Sequence, residues 1–344
     1  METKMTFKLM SFSLILLAAF CSCNSLKHLE GNNKTKNEVY KNAGLDETTM
    51  NAIGSKRKID MTQFKETELD LPYADTNNRK QTLDIVYPTH GKAPYKTIVL
   101  IHGGGWMIGD KETESIASVF QATTQGYAVV SINYRLSDEV TWPKPLHDAK
   151  AAIRFIRANA DKYQLDTKYL VVWGGSAGGH IAEMLGATNN QPAFEDLTMG
   201  NAGYSSAIQG IVAWYPVSDI SGLTDIGTLP ANKIMGFDVR ANKDKTHDAS
   251  PMNLVTKDFP PMLFVHGARD NVVPYQQSVD MQRKVKEITG RKPELITFKG
   301  AGHGDQRIKT TENIMNNLHF VDEILYNGKN PYRNTNFLDI KIVD

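Results

Sequence analysis

The stretch Val171-Val172-Trp173-Gly174-Gly175-Ser176-Ala177-Gly178-Gly179-His180 constrains the fold more than any other part of the chain. An apolar run breaks into glycines around one serine, which reads as a strand, a sharp turn and a helix. In the G-x-S-x-G spacing of Gly174, Ser176 and Gly178, the serine stands at the tip of a strained turn with its hydroxyl clear of the backbone. The glycines remove Cβ atoms that would collide where strand and helix nearly touch. The amide of Ala177 then lies at a helix N-terminus, where negative charge is favoured.

The remaining apolar runs predict the sheet in which this turn sits. Residues 64–71 and 81–87 read as an antiparallel edge pair, the second by its alternation of Leu83, Ile85 and Tyr87 with polar neighbours. Residues 97–101, Thr-Ile-Val-Leu-Ile, form the unbroken run of a strand buried on both faces. Further strands are expected at 127–132, 169–173, 208–214, 262–265 and 294–298, with helices at 115–125, 146–160, 276–289 and 311–325. Such alternation is that of an α/β chain with a mostly parallel sheet and helices on both faces. Right-handed crossovers bring the loops that follow the strands to one edge of the sheet.

A serine at that edge needs a base, and the base needs an orienting acid. His303, in Gly300-Ala301-Gly302-His303-Gly304, directly follows the strand ending at Phe298. Asp270, in His266 to Pro274, directly follows the strand ending at Val265, so the chain order is Ser, Asp, His. Asp219, after the strand ending at Trp214, stays open as an alternative acid. His102-Gly103-Gly104-Gly105 follows the 97–101 strand, and its glycines leave backbone amides free to face a developing oxyanion beside that of Ala177. Trp106 reads two ways, as packing and as a wall of an acyl pocket. His102, His180 and His266 read as structural hydrogen bonders. None of the nine histidines pairs at metal-ligand spacing, so neither a metal nor another cofactor is expected. Residues 220–250 read equally as a lid and as a surface excursion.

With these motifs and Ser131-Ile132-Asn133-Tyr134-Arg135-Leu136, the chain resembles the α/β-hydrolase superfamily over residues 64–327. Within it, the chain is most similar to the acetylxylan/feruloyl carbohydrate-esterase branch, related to hormone-sensitive-lipase-type carboxylesterases. The resemblance implies Ser176 as nucleophile, His303 as general base and then acid, and Asp270 as its orienting carboxylate. It implies Gly104, Gly105 and Ala177 as oxyanion donors. The implied activity is hydrolysis of short acyl esters, acetyl or feruloyl, on plant-wall polysaccharide or oligosaccharide. A general short-chain carboxylesterase or lipase is the alternative enzyme, with a formamidase and an aminopeptidase-like hydrolase further away. A non-catalytic surface binding protein is the alternative of another class.

Composition enters at the N-terminus. Lys4 and Lys8 precede the apolar run 9–20, too short to span a bilayer and flanked as a secretory signal, which leads into Cys21-Ser22-Cys23. The segment 1–23 resembles a lipoprotein signal with Cys23 as the lipidated residue, although Phe20 stands where leucine is usual; an ordinary cleaved signal is the other reading. The expected product is exported and membrane-bound only through that anchor. These are the only two cysteines, so a disulfide framework is excluded for the rest. The expected divisions are a polar tether at 24–61, the catalytic domain at 62–327 and a tail at 328–344. With 39 Lys+Arg against 38 Asp+Glu, a net charge of +1 argues against a nucleic-acid partner.

Overall fold

A computed structural model describes residues 57–343. The signal segment, Cys23 and most of the expected tether lie outside the described residues.

The sheet is built from β2 (Thr67–Pro72), β3 (Thr82–Val86), β4 (Tyr95–Ile101), β5 (Ala128–Ile132), β6 (Leu165–Gly175), β7 (Gly210–Trp214), β8 (Met262–Gly267) and β9 (Glu294–Phe298). Its order is β2-β3-β5-β4-β6-β7-β8-β9, antiparallel through β2, β3 and β5 and parallel from there on. This is the α/β-hydrolase fold. The central strands are covered on both faces, which is why they are continuous apolar runs.

Successive side chains point to opposite faces. Leu100, Trp173, Val212, Trp214, Leu263 and Val265 pack with Val119 and Phe120 of the segment Glu114–Gln125 and with Ile314, Leu318 and Val321 of the C-terminal helix (Thr311–Tyr326). On the other face, α1 (Lys144–Ala158) and α2 (Ala177–Ala187) cover the sheet, with Gly186 of α2 seated against Ile211 and Pro260. α3 spans Asp225–Met235, α4 Tyr275–Thr289 and α5 Thr311–Tyr326. The segment 114–125 coils more tightly than the expected α-helix, as a 3₁₀ run in which Thr123 and Thr124 donate to the carbonyls of Phe120 and Gln121.

The ordered unit extends past both ends of 62–327. β1 (Lys58–Ile59) pairs antiparallel with β10 (Ile342–Val343). The C-terminal segment is further held by Gln121, which exchanges hydrogen bonds with the backbone of Leu338, and by Gln125, which accepts from Asn334. Two-residue strands and side-chain amides carry no hydrophobic period, so this docking leaves no pattern in the sequence.

α2, the helix after Ser176, carries a fully buried Glu183. One carboxyl oxygen accepts from Ser218 Oγ at 3.1 Å, and the other has no partner among the described residues. Burial pushes its pKa from 4.5 up to about 8. A raised folded-state pKa means a contribution to stability that is complete below about 4.5 and lost as the pH rises through about 8. Glu183→Gln removes this titration. In thermal melts across that window, the stability difference should shift in favour of Glu183→Gln as pH rises; a constant difference would show that Glu183 does not titrate there.

Candidate active site

Ser176 joins β6 to α2 with φ 54 and ψ −121, a left-handed conformation costing on the order of 1–3 kcal/mol in a non-glycine residue. The flanking glycines make it possible. A Cβ on Gly174 would lie 2.3 Å from the carbonyl oxygen of Gly178, and one on Gly178 would lie 2.2 Å from that of Ile101. The turn is pinned by Ser176 N donating to Trp214 O at 2.9 Å and His180 N donating to Ser176 O at 2.9 Å.

The loops after β8 and β9 meet this turn. His303 Nε2 lies 2.9 Å from Ser176 Oγ, and Nδ1 lies 2.7 Å from Asp270 Oδ2. Both are buried: His303 is 2% exposed and Asp270 0%. Asp270 Oδ1 accepts the amides of Val272 at 2.9 Å and Val273 at 2.8 Å, and His266 Nε2 stands 3.3 Å from Oδ2. Burial alone would raise the pKa of this carboxyl. The charge and hydrogen bonding of His303 and the hydrogen bond from His266 outweigh it, holding the carboxyl well below the usual range. An ionised Asp270 accepts a hydrogen bond from His303 Nδ1–H, which leaves Nε2 as the acceptor for the Ser176 hydroxyl. Asp219 is elsewhere: its carboxylate accepts from Ser221 N at 2.8 Å and Ser221 Oγ at 2.8 Å.

On the other side of Ser176 lies the glycine loop. Gly104 has φ 109, and a Cβ there would lie 2.1 Å from Ile108 O, so only glycine fits. Among the described residues the amides of Gly104 and Gly105 donate to no protein acceptor. Ala177, the first residue of α2, has no intrahelical acceptor for its N–H. Gly104 lines the cleft with Gly103, Ser176 and His303, whereas Gly105 abuts Pro230 of α3. His102 Nδ1 donates to Gly103 O at 2.7 Å, and burial pushes its pKa down to about 4, which keeps the ring neutral.

The Ser131 to Arg135 motif fastens this loop. Ser131 Oγ donates to Lys111 O at 2.6 Å, Asn133 Oδ1 accepts from Lys111 N at 2.8 Å, and the Tyr134 ring stacks on His102 at 4.4 Å. Arg135 forms an ion pair with the buried Asp148 of α1 at 2.7 Å.

Trp106 differs from the expected pocket wall. It is 1% exposed, with its ring edge against His180 at 5.1 Å, so it offers no open face to a ligand. Its φ of 56 is a left-handed conformation, as at Ser176. His180 is held between Trp106 and Trp142 and bonded through Nε2 to Ala249 O at 2.8 Å. Within 220–250, α3 links both halves of the site. Thr224 Oγ1, before α3, donates to Val272 O at 2.8 Å, Pro230 rests on Gly105, and Trp142 N donates to Ile234 O at 2.8 Å.

The cleft lining carries no sequence motif. Leu100, Ile116, Val119, Trp173 and Trp214 make its apolar floor beside Ser176, and Tyr215 its wall beside His303. Tyr215 was detectable by position, since it follows a strand as Ser176, Asp270 and His303 do. Among the described residues no cluster of His, Cys, Asp or Glu could hold a metal ion.

A family model described as BD-FAE matches residues 83–285, and one described as TAP-like protein matches residues 240–336. The chain is 31% identical over 220 residues to esterase LipC of Mycobacterium tuberculosis, covering 61% of this chain and 53% of that protein. It spans about half the length of the curated relatives it matches. Among solved structures, a truncated form of carbohydrate esterase from gut microbiota aligns at 30% identity and TM-score 0.70, covering 77% of this chain and 98% of that one. The propionate-bound esterase Est2 of Thermogutta terrifontis aligns at 25% identity and TM-score 0.61, covering 75% and 94%.

The two kinds of glycine in this site should behave oppositely. Gly178→Ala places its methyl against backbone and should lower stability by about 1–3 kcal/mol or more, with a fall in Tm and in activity. Gly302→Ala meets nothing within 4 Å and should melt like the parent. Equal melting of both variants would contradict the close packing of the turn.

Proposed function

The chain belongs to the BD-FAE family of the α/β-hydrolase superfamily, and from that membership and the geometry above we propose that it is a serine esterase. The observation that carries this reading is the continuous chain of contacts from Asp270 through His303 to Ser176 Oγ, at 2.7 and 2.9 Å, facing unpaired amides across the cleft. Ser176 Oγ attacks the ester carbonyl while His303 Nε2 takes its proton. The oxyanion is held by the Gly104 and Ala177 amides, with Gly105 next in the loop. His303 then protonates the leaving alcohol, and water releases the acid from the acyl-enzyme by the same steps with roles reversed.

The acyl group in this reading is short. The cavity beside Ser176 measures about 20 Å³ over its floor of Leu100, Ile116, Val119, Trp173 and Trp214, on a measure by which one water needs about 10–15 Å³. That supports acetyl ahead of feruloyl. Likeness to a truncated carbohydrate esterase, over 98% of that chain and 77% of this one, supports a sugar hydroxyl as the alcohol. Export with lipidation at Cys23 would give the enzyme access to such polymers outside the cell.

Ser176→Ala and His303→Ala should each lower kcat by up to about a million-fold, with little further loss when combined. Asp270→Asn should cost about ten thousand-fold, whereas Asp219→Asn should stay near the parent. Retained turnover in Ser176→Ala ends the serine-esterase reading. Acetate release from acetylated xylan tests the alcohol: hydrolysis of 4-nitrophenyl acetate with none from xylan or its oligosaccharides would leave a general carboxylesterase. Loss of lipid labelling in Cys23→Ala, with Met1 absent from the mature protein, tests the anchor; a native protein that keeps Met1 in the cytoplasm contradicts it.

A further inference from the structure

Tyr215 follows β7 directly and has φ 37, a left-handed conformation that an aromatic residue avoids. It is pinned there: its amide donates to Val265 O at 2.8 Å, and the carbonyl just before it accepts from Ser176 N at 2.9 Å. Backbone strain of this kind persists where the surroundings over-determine it, and it gathers at functional sites.

The strained conformation puts the side chain in the cleft. The ring stands edge-on to His303, with centroids 4.6 Å apart at 65°. The hydroxyl reaches the neighbour of the nucleophile, since a Cβ built on Gly175 would lie 3.2 Å from it. Tyr215 is 6% exposed and lines the same cleft as Gly104, Ser176 and His303. Its hydroxyl has no hydrogen-bond partner among the described residues, yet it is not one of the fully buried polar atoms, so it stays open to the cleft and free to donate to a ligand there. Burial holds the phenol above its ordinary pKa, so it remains a neutral donor.

Strand order says which half of the reaction this hydroxyl faces. β4 and β7 flank β6 on opposite sides. The strand β4 leads into the Gly103-Gly104 amides, while β7 leads into Tyr215, and His303 comes from the β9 side. The carbonyl oxygen of a bound ester therefore lies toward Gly104, and its alcohol oxygen lies toward His303 and Tyr215.

We propose that Tyr215 acts on the alcohol half of the site, its hydroxyl donating a hydrogen bond to the ester's leaving oxygen as His303 Nε2 protonates it. This rests on the serine-esterase reading above. No bond to Tyr215 forms or breaks; the proton that Ser176 gave to His303 passes to the leaving alcohol, and the phenol keeps its own.

Tyr215→Phe keeps the ring against His303 and removes only the hydroxyl. Its loss should matter for an alkyl acetate, whose leaving oxygen must be protonated, and little for 4-nitrophenyl acetate, whose leaving group departs as a stable anion. The readout is the ratio of kcat/KM for the two esters within one preparation, which does not depend on how much of the enzyme is folded. The ratio should fall about tenfold or more in Tyr215→Phe. An unchanged ratio, with equal losses or none, overturns the assignment. If the parent enzyme cleaves neither ester, or if Ser176→Ala cleaves both, the esterase reading itself falls, and the role of Tyr215 falls with it.

Discussion

The site depends on a carboxylate that stays ionised away from water. Asp270 is fully buried, and an unpaired charge there would cost several kcal/mol. The Val272 and Val273 amides satisfy one oxygen, while His303 and His266 satisfy the other. These partners come from its own loop, from the end of β8 and from the loop after β9. The Ala268 amide to Phe298 O, and the Arg269 amide to Ala301 O, keep those two loops in register. The negative charge fixes the tautomer of His303, and the tautomer decides whether Ser176 faces an acceptor or a donor.

The opposite wall is held by uncharged groups next to Ser176 and by an ion pair farther out. The Gly103 carbonyl is held by His102, whose ring is stacked on Tyr134 and kept neutral by burial. Farther along the same loop, Lys111 pairs with the buried Asp84 of β3 at 2.8 Å. Removing Lys111 would leave the buried Asp84 without its counter-charge, so the far end of the loop is tied to the antiparallel edge of the sheet. Between the two walls, Gly174 and Gly178 bring β6 and α2 to near contact and set the height of Ser176. The parallel strands act as a ruler, and chemistry is placed at their ends.

That ruler is why so much was legible beforehand. Ser176, Asp270 and His303 each follow an apolar run directly, and parallel strands with right-handed crossovers put such positions on one edge. What the sequence hid depends on backbone angles and on contacts without a period. Trp106 next to a glycine loop reads both as packing and as a pocket wall, and nothing in the sequence tells that its ring lies buried against His180. The helix within 220–250 was masked by Pro230 in its interior and by Gly227. Tyr215 has no motif of its own; its place directly after a strand is its one sequence signal, and its φ and its edge contact with His303 are what single it out. The β1 and β10 strands are too short for any alternation to appear.

The central claim is that Ser176 carries the acyl group between the two halves of the reaction. The most direct measurement is mass spectrometry of the enzyme quenched in acid during turnover of an aryl acetate, followed by digestion and mapping. The expected result is one acetyl group on the peptide containing Ser176, assigned to its hydroxyl and absent from Ser176→Ala. Turnover with the acetyl group on another side chain, or with the Ser176 peptide unmodified while Ser176→Ala stays active, would contradict it.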